Sequence, residues 1–456
     1  MEKFRLRDHI GVLAIITVLM MTVLDSTLVN VALPVFASEL GVSDSASVWI
    51  VTIYQLAITM LLLPLSAVGD LYSYRRNFLC GVVIFTLSSL GCAMAQSFPA
   101  FIIARAFQGI GAAGVMSVNI ALTRLIYPRQ FLARGLALNA MVIAVATAAG
   151  PTLAGIILSF ASWHWLFLIN IPFGFIAYFI GRAKLPANPN PGGGKFDWLS
   201  GIMNAATFGL LFYAFGNLSR KGDTATSVIL LAVGLLIGVF YIRRQFNRKK
   251  PMLPVDLFRN PLYSMSIITS VCSFIAQNLA MISLPFLFLS ALGYSEIATG
   301  LLMTPWSIAT VIVSPLAGRF VERHNPGITA AVGMGVYMSG MILLGLLPES
   351  GVSVGAIVWR MALCGIGFGL FQTPNNVVMV IATPTERTGS AGGMQSTARL
   401  VGQTFGATVV TLIFALAPRP GISVHICLGL AAALAAVAGI LSLFRGANIR
   451  RHHSSL

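Results

Sequence analysis

Charged side chains are scarce in this chain of 456 residues, of which 9% are charged and 57% hydrophobic. Soluble globular domains carry roughly 25% charged residues, so this chain cannot cover a water-facing surface. Acidic residues are the scarcest, with 13 against 29 lysines and arginines, and the net charge is +16. Because basic residues gather in the cytoplasmic loops of membrane proteins, this excess does not require nucleic acid, and we predict no nucleic-acid partner.

Cysteine and histidine are too few and too scattered for the sites that they usually build. The five cysteines form no CxxC pair and lie in or beside apolar runs, which favours small core residues over disulfides or metal ligands. The six histidines do not cluster, apart from a pair in the tail, and there is no GxxxxGKS/T loop. We therefore predict no metal, no cofactor, no ATP-driven pumping and no enzymatic activity.

Apolar runs of about 20 residues recur along the whole chain, and each is long enough to cross a bilayer. Charged and turn residues separate them into fourteen predicted spans. The spans are 10–35, 46–68, 77–96, 99–124, 134–158, 164–182, 198–218, 226–243, 261–290, 298–317, 327–347, 353–382, 390–416 and 421–444. The predicted fold class is therefore all-α and integral to the membrane, with both termini on the same side.

Basic residues lie almost entirely on one side of this topology. With the N-terminus inside, cytoplasmic segments hold 23 lysines and arginines, whereas the outer loops hold 3. Cytoplasmic loops typically show this bias, and losing or adding one span would reverse it for everything downstream. We therefore predict a multi-pass protein with both termini in the cytoplasm.

The longest polar stretches flank the seventh and eighth spans, which indicates a six-plus-two-plus-six organisation. Residues 1–185 are predicted to form a first six-helix bundle, 186–255 a linker with two inserted helices, and 256–456 a second six-helix bundle.

An internal echo supports the two bundles. In span four, Asn119 lies ten residues after the first glycine of Gly109-Ile110-Gly111. In span twelve, Asn375 has the same spacing from Gly365-Ile366-Gly367. Repeated halves of this kind place a transporter's substrate site between them, near the midplane.

Asp25 lies deep in the first span and is flanked by apolar turns. An ionisable group at that depth costs roughly 2.5–3.5 kcal/mol on insertion scales and is usually functional. Burial favours the protonated form of a carboxylic acid, so Asp25 is our candidate for taking a proton from one side and releasing it to the other. A permanent ion pair or a helix-capping role is the alternative.

Three arginines lie within predicted spans. Arg105 is near the outer start of span four, where snorkelling to the interface competes with a role beside the acid. Arg399 lies deeper, and we expect it to hold backbone carbonyls or a polar network rather than substrate. Arg360 lies near a span end and is expected to snorkel.

Five segments carry a family signature. They are Leu24-Asp25-Ser26-Thr27-Leu28-Val29-Asn30-Val31-Ala32-Leu33-Pro34, Arg105 to Ala113, Gly150-Pro151-Thr152-Leu153-Ala154-Gly155, Ser162 to Trp165 leading to Asn170-Ile171-Pro172, and Arg399 with Gly402 and Gly406. They resemble the fourteen-span drug/proton antiporters of the major facilitator superfamily, over nearly the whole chain. The resemblance implies two six-helix bundles plus two inserted helices, and it associates Arg105 with proton coupling.

The loop after span two departs from the family pattern. It keeps Asp70, Arg75 and Arg76, but Leu71 replaces the arginine after the aspartate and Ser73 replaces the turn glycine. By resemblance, Asp70 and the two arginines form a charge-linked latch between helices during alternating access. Ordinary positive-inside charge with a capping aspartate is the alternative.

Two further groups complete the predicted site. Gly150 and Pro151 predict a bent, closely packed helix, since glycine lets backbones approach and proline removes a hydrogen bond. Polar and aromatic residues of the core helices are candidates for the substrate cavity, although packing is the alternative for each. The cavity candidates are Asn30, Tyr54, Gln55, Asn119, Phe274, Gln277, Trp306, Phe371, Gln372 and Asn375.

The leading hypothesis is a proton antiporter that exports lipophilic, cationic drug-like compounds across the bacterial cytoplasmic (inner) membrane. That role implies multidrug efflux and antibiotic resistance. Its partners are a small-molecule substrate, protons and the lipid bilayer, and we expect a monomer. The alternative is a proton-coupled exporter of a specific metabolite, peptide or siderophore. Span ten lacks the acid that some relatives carry there for divalent cations, which leaves the charge of the cargo open.

Overall fold

The computed structural model describes residues 6–127, 132–186, 195–218, 224–246, 248, 251–253, 255–348, 351–383, 388–417 and 419–454. Fourteen of its helices are long and apolar enough to cross a membrane, which confirms the predicted number of spans. Within the described ranges the chain forms helices and turns, with no β-strand.

The helices follow the apolar runs closely. Their bounds are α1 Leu6–Glu39, α2 Asp44–Leu71, α3 Tyr74–Ala93, α4 Phe98–Ile126, α5 Leu132–Phe160, α6 Trp165–Leu168, α7 Asn170–Lys184, α8 Trp198–Gly216, α9 Thr224–Phe246, α10 Pro261–Phe286, α11 Glu296–Arg323, α12 Pro326–Gly345, α13 Val354–Ile381, α14 Thr388–Leu416 and α15 Pro420–Ser454. The sixth span is α6 followed by α7. A 3-10 turn, Val255–Arg259, precedes α10, and one π-helical turn, Leu287–Ala291, follows it.

Polar residues at the span boundaries start several helices. The Ser43 side chain accepts a hydrogen bond from the Ala46 N–H at the start of α2. Asn260 does the same for the Leu262 N–H, and Pro261 then occupies the first turn of α10. Such caps satisfy backbone N–H groups that have no partner within the helix.

Successive spans run antiparallel, so both chain ends lie on one side, here called the terminal side; the opposite one is the far side. In the first half, α1–α7, α4 packs on α2 and α3, and α1 packs on α5 and α7. In the second half, α10–α15, α10 packs on α14 and α15, and α13 packs on α11 and α12. Helices α8 and α9, the insert, pack on each other, and α8 also covers the seam between α2 and α14. The three-part division of the chain by residue ranges stays a prediction.

One hydrophobic core spans both halves on the far side. Its members include Phe36, Val51, Phe101, Phe167, Phe286, Met303 and Val410. On the terminal side each half has a core of its own: Phe78, Val118 and Leu122 in the first, and Tyr263, Ile267 and Met379 in the second. Over the described residues, the halves therefore share a core on the far side and have separate cores toward the terminal side, where Leu400 of α14 still packs among first-half residues. The region between the separate cores is called the cleft.

Candidate functional site

Asp25 is fully buried in the first half, where its carboxylate accepts three hydrogen bonds. Arg105 Nη1 donates to Oδ2 over 2.6 Å. Gln108 Nε2 and Asn170 Nδ2 donate to Oδ1 over 2.8 and 3.2 Å. These donors belong to α4 and α7, so the carboxylate joins α1 to both of these helices. A buried carboxylate needs such partners, because leaving it unpaired in an apolar interior is very costly.

Arg105 is turned toward the interior and has no exposed surface. Its Nη1 also donates to Gln108 Oε1 over 2.6 Å, and its Nε donates to the Ile50 carbonyl of α2 over 3.2 Å. The guanidinium lies 4.3 Å from the centre of the Tyr54 ring, within range of a cation–π interaction. The side chain does not snorkel, because Asp25 supplies a better partner than the membrane interface does.

Ser89 of α3 links the two amides of this cluster. Its hydroxyl accepts from Gln108 Nε2 over 2.8 Å and from Asn170 Nδ2 over 3.4 Å. The Gln108 amide is therefore hydrogen-bonded to Asp25, Arg105 and Ser89 at once. We define the ion-pair cluster as Asp25, Arg105, Gln108, Ser89 and Asn170.

Protonation would change the balance of the ion-pair cluster. The carboxylate of Asp25 neutralises Arg105, and Arg105 Nη2 has no hydrogen-bond partner in the described structure. A proton on Asp25 would leave the guanidinium as a buried charge without a counterion. Because an unpaired buried charge is unstable, the helices that carry these side chains would have to rearrange, or the proton would have to leave.

Sequence reasoning named Asp25 and Arg105 but assigned no role to Gln108, Ser89 or Asn170. Gln108 and Asn170 lie inside the quoted family motifs, and Ser89 lies in an apolar span. A signal was present, because amides and hydroxyls buried at membrane depth need partners. The depth that they share with Asp25 becomes visible only when the helices are packed.

A second buried polar cluster lies in the second half and contains no acid. Asn375 Nδ2 donates to Ser270 Oγ over 2.7 Å, and Asn375 Oδ1 accepts from Thr269 Oγ1 over 3.0 Å. Arg445 Nη1 donates to the same Asn375 oxygen and to Ser266 Oγ, the latter over 2.8 Å. The last predicted span ends at residue 444, just before Arg445, whereas α15 continues past Arg445 and buries it completely.

Several cavity candidates lie in the packed interior of one half. Asn119 Oδ1 accepts from Asn139 Nδ2 over 3.1 Å within the first half. Trp306 stacks edge-on against Tyr337 in the second half, with 5.6 Å between ring centres. Phe274 and Phe371 both contact Phe368, and both are buried. With Asn375, these residues are buried, and their part in a substrate cavity stays a prediction.

One cavity candidate, Gln55, lies where the halves meet, and three others differ in exposure. Gln55 Oε1 accepts from Asn278 Nδ2 over 3.3 Å, which joins α2 to α10. Gln277 and Gln372 are partly exposed. Asn30 is buried, and its Oδ1 has no hydrogen-bond partner in the described part of the chain. The predicted cavity set therefore divides into interior and interface residues.

Comparison with known proteins agrees with this architecture. The sequence model of the Major Facilitator Superfamily matches residues 15–407. The chain belongs to this superfamily. Its members are transporters, so the bilayer and a small-molecule substrate are its partners.

Two curated relatives are similar to this chain over most of its length. It is 47% identical over 436 residues to an uncharacterized transporter, YebQ, of Escherichia coli K12, and the match covers 95% of each. It is 32% identical over 403 residues to the multidrug resistance protein Stp of Mycobacterium tuberculosis, covering 87% of this chain and 74% of Stp. A solved POT family transporter in complex with 5-aminolevulinic acid superposes with a TM-score of 0.75 at 14% identity, covering 97% and 96% of the two chains.

The charge-linked latch that the resemblance predicts forms no ion pair among the described residues of this superfamily member. Asp70 Oδ1 accepts from the Tyr74 hydroxyl over 2.6 Å, and among the described residues no ion pair joins Asp70 to Arg75 or Arg76. Arg75 Nη2 donates instead to the Arg182 carbonyl at the end of α7. Both arginines lie at the parted, terminal side of the halves.

Gly150 and Pro151 lie where α5 contacts two other helices. A side chain at Gly150 would collide with Thr27 of α1, and the Pro151 carbonyl lies against Gly300 of α11. Thr152 and Thr304 share a hydrogen bond of 2.5 Å across the same seam. Small residues therefore allow the close approach of the halves on the far side.

Proposed function

We propose that this superfamily member exports lipophilic, drug-like compounds in exchange for protons. The single observation that supports the proposal is the fully buried Asp25–Arg105 pair, with its 2.6 Å contact. The likeness to Stp, a multidrug resistance protein, supports the drug-like cargo.

In this proposal the terminal side faces the cytoplasm, and the protein resides as a monomer in the bacterial inner membrane. The positive-inside bias supports that orientation. The cleft then opens toward the cytoplasm, from which cargo would enter, and the joined core on the far side closes the outer path. A proton that enters along the membrane potential supplies about 2.3 kcal/mol per 100 mV to drive export.

Asp25 carries the proton in this mechanism. Protonation weakens its hold on Arg105, and the helices that meet at the ion-pair cluster shift relative to one another. Deprotonation on the cytoplasmic side restores the ion pair. The carboxylate is engaged by three donors, so it is not free to pair with a positively charged cargo. The cationic cargo expected from the sequence therefore lacks a partner at this acid.

A narrower cargo is the second candidate. Export of one metabolite, peptide or siderophore would use the same proton site. The amides of Gln55, Asn278 and Gln277 where the halves meet favour it, because convergent polar groups select for particular ligands.

Efflux of lipophilic dyes of either charge from loaded cells, with and without an uncoupler, tests the proposal. We expect uncoupler-sensitive efflux in the wild type and in Asp44→Asn, a control at the far end of α2. Asp25→Asn should lose active efflux. Undiminished, uncoupler-insensitive efflux in Asp25→Asn would contradict the proposed mechanism.

A further inference from the structure

Three arginines of the transmembrane helices show how such a charge is held by the protein, and a fourth differs from them. Arg105 pairs with Asp25, and Arg445 donates to Ser266 and Asn375. Arg360 donates to the Ala356 carbonyl of its own helix over 2.7 Å and stacks on Trp359, 4.6 Å from the ring centre. The fourth is Arg399.

Arg399 lies near the middle of α14 and is partly exposed. Over the described residues, it makes no hydrogen bond and no ion pair. A guanidinium at membrane depth is costly without a partner, and cations there usually mark a substrate or ion pathway.

The neighbours of α14 fix the direction in which Arg399 points. Gly402 lies against Phe274 of α10, and Thr404 bonds to Thr59 of α2 over 3.0 Å. Phe405 stacks on Phe215 of α8, on the outer side of the bundle.

A helix turns about 100° per residue, so Arg399 lies about 60° from Gly402 and about 120° from Phe405 around the helix axis. Arg399 therefore lies between the α10 and α2 faces and on the side away from the insert. Gly406, two turns along the same face, lies against Asn278 of α10, which bonds to Gln55 of α2, so this face is directed to where the halves meet.

We infer that Arg399 binds an anionic group of the cargo, so that the transported class is lipophilic organic anions bearing a carboxylate or sulfonate. The inference rests on the proposed export function and names its substrate. The planar guanidinium presents paired N–H donors that match the two oxygens of such groups.

The charges around the cleft favour a negatively charged cargo. Asp25, the acid at membrane depth, is neutralised by Arg105 inside the first half. Asp70 lies at the terminal end of α2, about three turns beyond Thr59, which is the residue of α2 that bonds to α14. Among the side chains that the structure describes, no carboxylate forms an ion pair with Arg399. An anionic cargo supplies the missing counterion.

Fluorescein and rhodamine 123 test the inference, because they share a xanthene ring system and carry opposite charges. Their transport is measured with wild-type protein in liposomes carrying a pH gradient, beside Arg399→Gln, Arg399→Lys and the control Arg360→Gln. A charge-assisted hydrogen bond contributes enough for a roughly tenfold or larger loss of fluorescein transport in Arg399→Gln. Arg399→Lys should retain part of it and Arg360→Gln should retain all of it. Whatever rhodamine 123 transport the wild type shows should not fall in Arg399→Gln.

A binding measurement with the wild type alone does not depend on how the variants fold. Bound fluorescein should be displaced by 2-naphthoate and not by its methyl ester, which has the same rings without the charge. Equal displacement by both compounds would overturn the inference.

The outcomes separate this inference from the proposed function. Proton-dependent transport of rhodamine 123 without fluorescein would overturn the anionic cargo and leave proton-coupled export standing. An equal loss of both dyes in Arg399→Gln would assign the arginine a structural role and also overturn the inference. Absence of any gradient-dependent transport by the wild type would overturn the proposed function together with it.

Discussion

The two halves of the molecule each bury an arginine, and they satisfy it in different ways. In the first half Arg105 faces a carboxylate 2.6 Å away, whereas in the second half Arg445 faces the hydroxyl of Ser266 and the amide of Asn375. A carboxylate can take up a proton, whereas a hydroxyl and an amide stay neutral at accessible pH. Among the described residues, the similar scaffolds therefore carry unequal chemistry, because the buried arginine of the first half faces an acid and that of the second half does not.

The same comparison distinguishes two arginines that have protein partners from a third that has none among the described residues. Arg105 and Arg445 lie inside their halves with protein partners, whereas Arg399 borders the cleft without one in the described structure. In our proposals the first half supplies the proton site, and α14 of the second half supplies the charge that meets the cargo. Substitutions of Asp25 and Arg445 test how each half satisfies its buried arginine. A third substitution, of Asp197 in the insert, should have the smallest effect.

Asp25→Asn should produce the largest loss of stability, about 3–5 kcal/mol, because it leaves Arg105 buried without a counterion. The purified protein in detergent is heated, and the temperature at which half of it loses its monodisperse state is measured. The double variant Asp25→Asn/Arg105→Gln should recover much of the loss, since neither charge remains. Equal instability of the single and double variants would show that the charge pairing does not stabilise the first half.

Arg445→Met should cost about 1 kcal/mol or less, since the lost hydrogen bonds are offset by removal of a buried, uncompensated charge. Its apolar chain fills the space of the arginine stem. Arg105→Met is the matched variant in the first half and should be several times more costly. The same heating experiment measures both, and comparable losses would remove the distinction drawn between the halves.

Asp197 precedes α8 in the insert, where it pairs with Arg244 and Arg248 over 3.0 Å each. Its partial burial raises the pKa, but hydrogen bonds from Ser200 and Arg244 outweigh that effect and hold the pKa below the usual 3.8. A lowered pKa stabilises the folded state at neutral pH, and this contribution is lost as the pH falls through the lowered value.

Asp197→Asn should therefore have the smallest effect, at most about 1 kcal/mol at pH 7, because the pair is partly exposed to solvent. Hydrogen exchange of α9, corrected for the intrinsic rate at each pH, measures it. The difference from wild type should shrink as the pH falls below 3.8. A difference that grows in acid would contradict this sign, and a loss of efflux would assign the insert a role in transport.

The sequence predicted the number of spans and the depth of Asp25 correctly. Apolar length and the spacing of charges determine these properties, and both are local. The family motifs likewise predicted the superfamily, which the comparisons confirm.

The direction in which each side chain points from its helix was not predictable in the same way. Arg105 had snorkelling as an alternative, Asn119 and Asn375 had packing as an alternative to the cavity, and the last span was predicted to end just before Arg445. A span that is apolar all round carries little information about its rotation, because every face tolerates burial. Rotation is set by contacts with distant helices, such as Gly150 against Thr27. Those contacts decide which polar groups meet.

Counterflow in liposomes tests most directly the claim that Asp25 carries the proton. Exchange of labelled for unlabelled cargo needs no net proton movement, whereas uphill export driven by a pH gradient does. Asp25→Asn imitates a permanently protonated acid, so we predict near wild-type counterflow together with loss of uphill export. Retention of uphill export, or parallel loss of both activities in folded protein, would contradict the account.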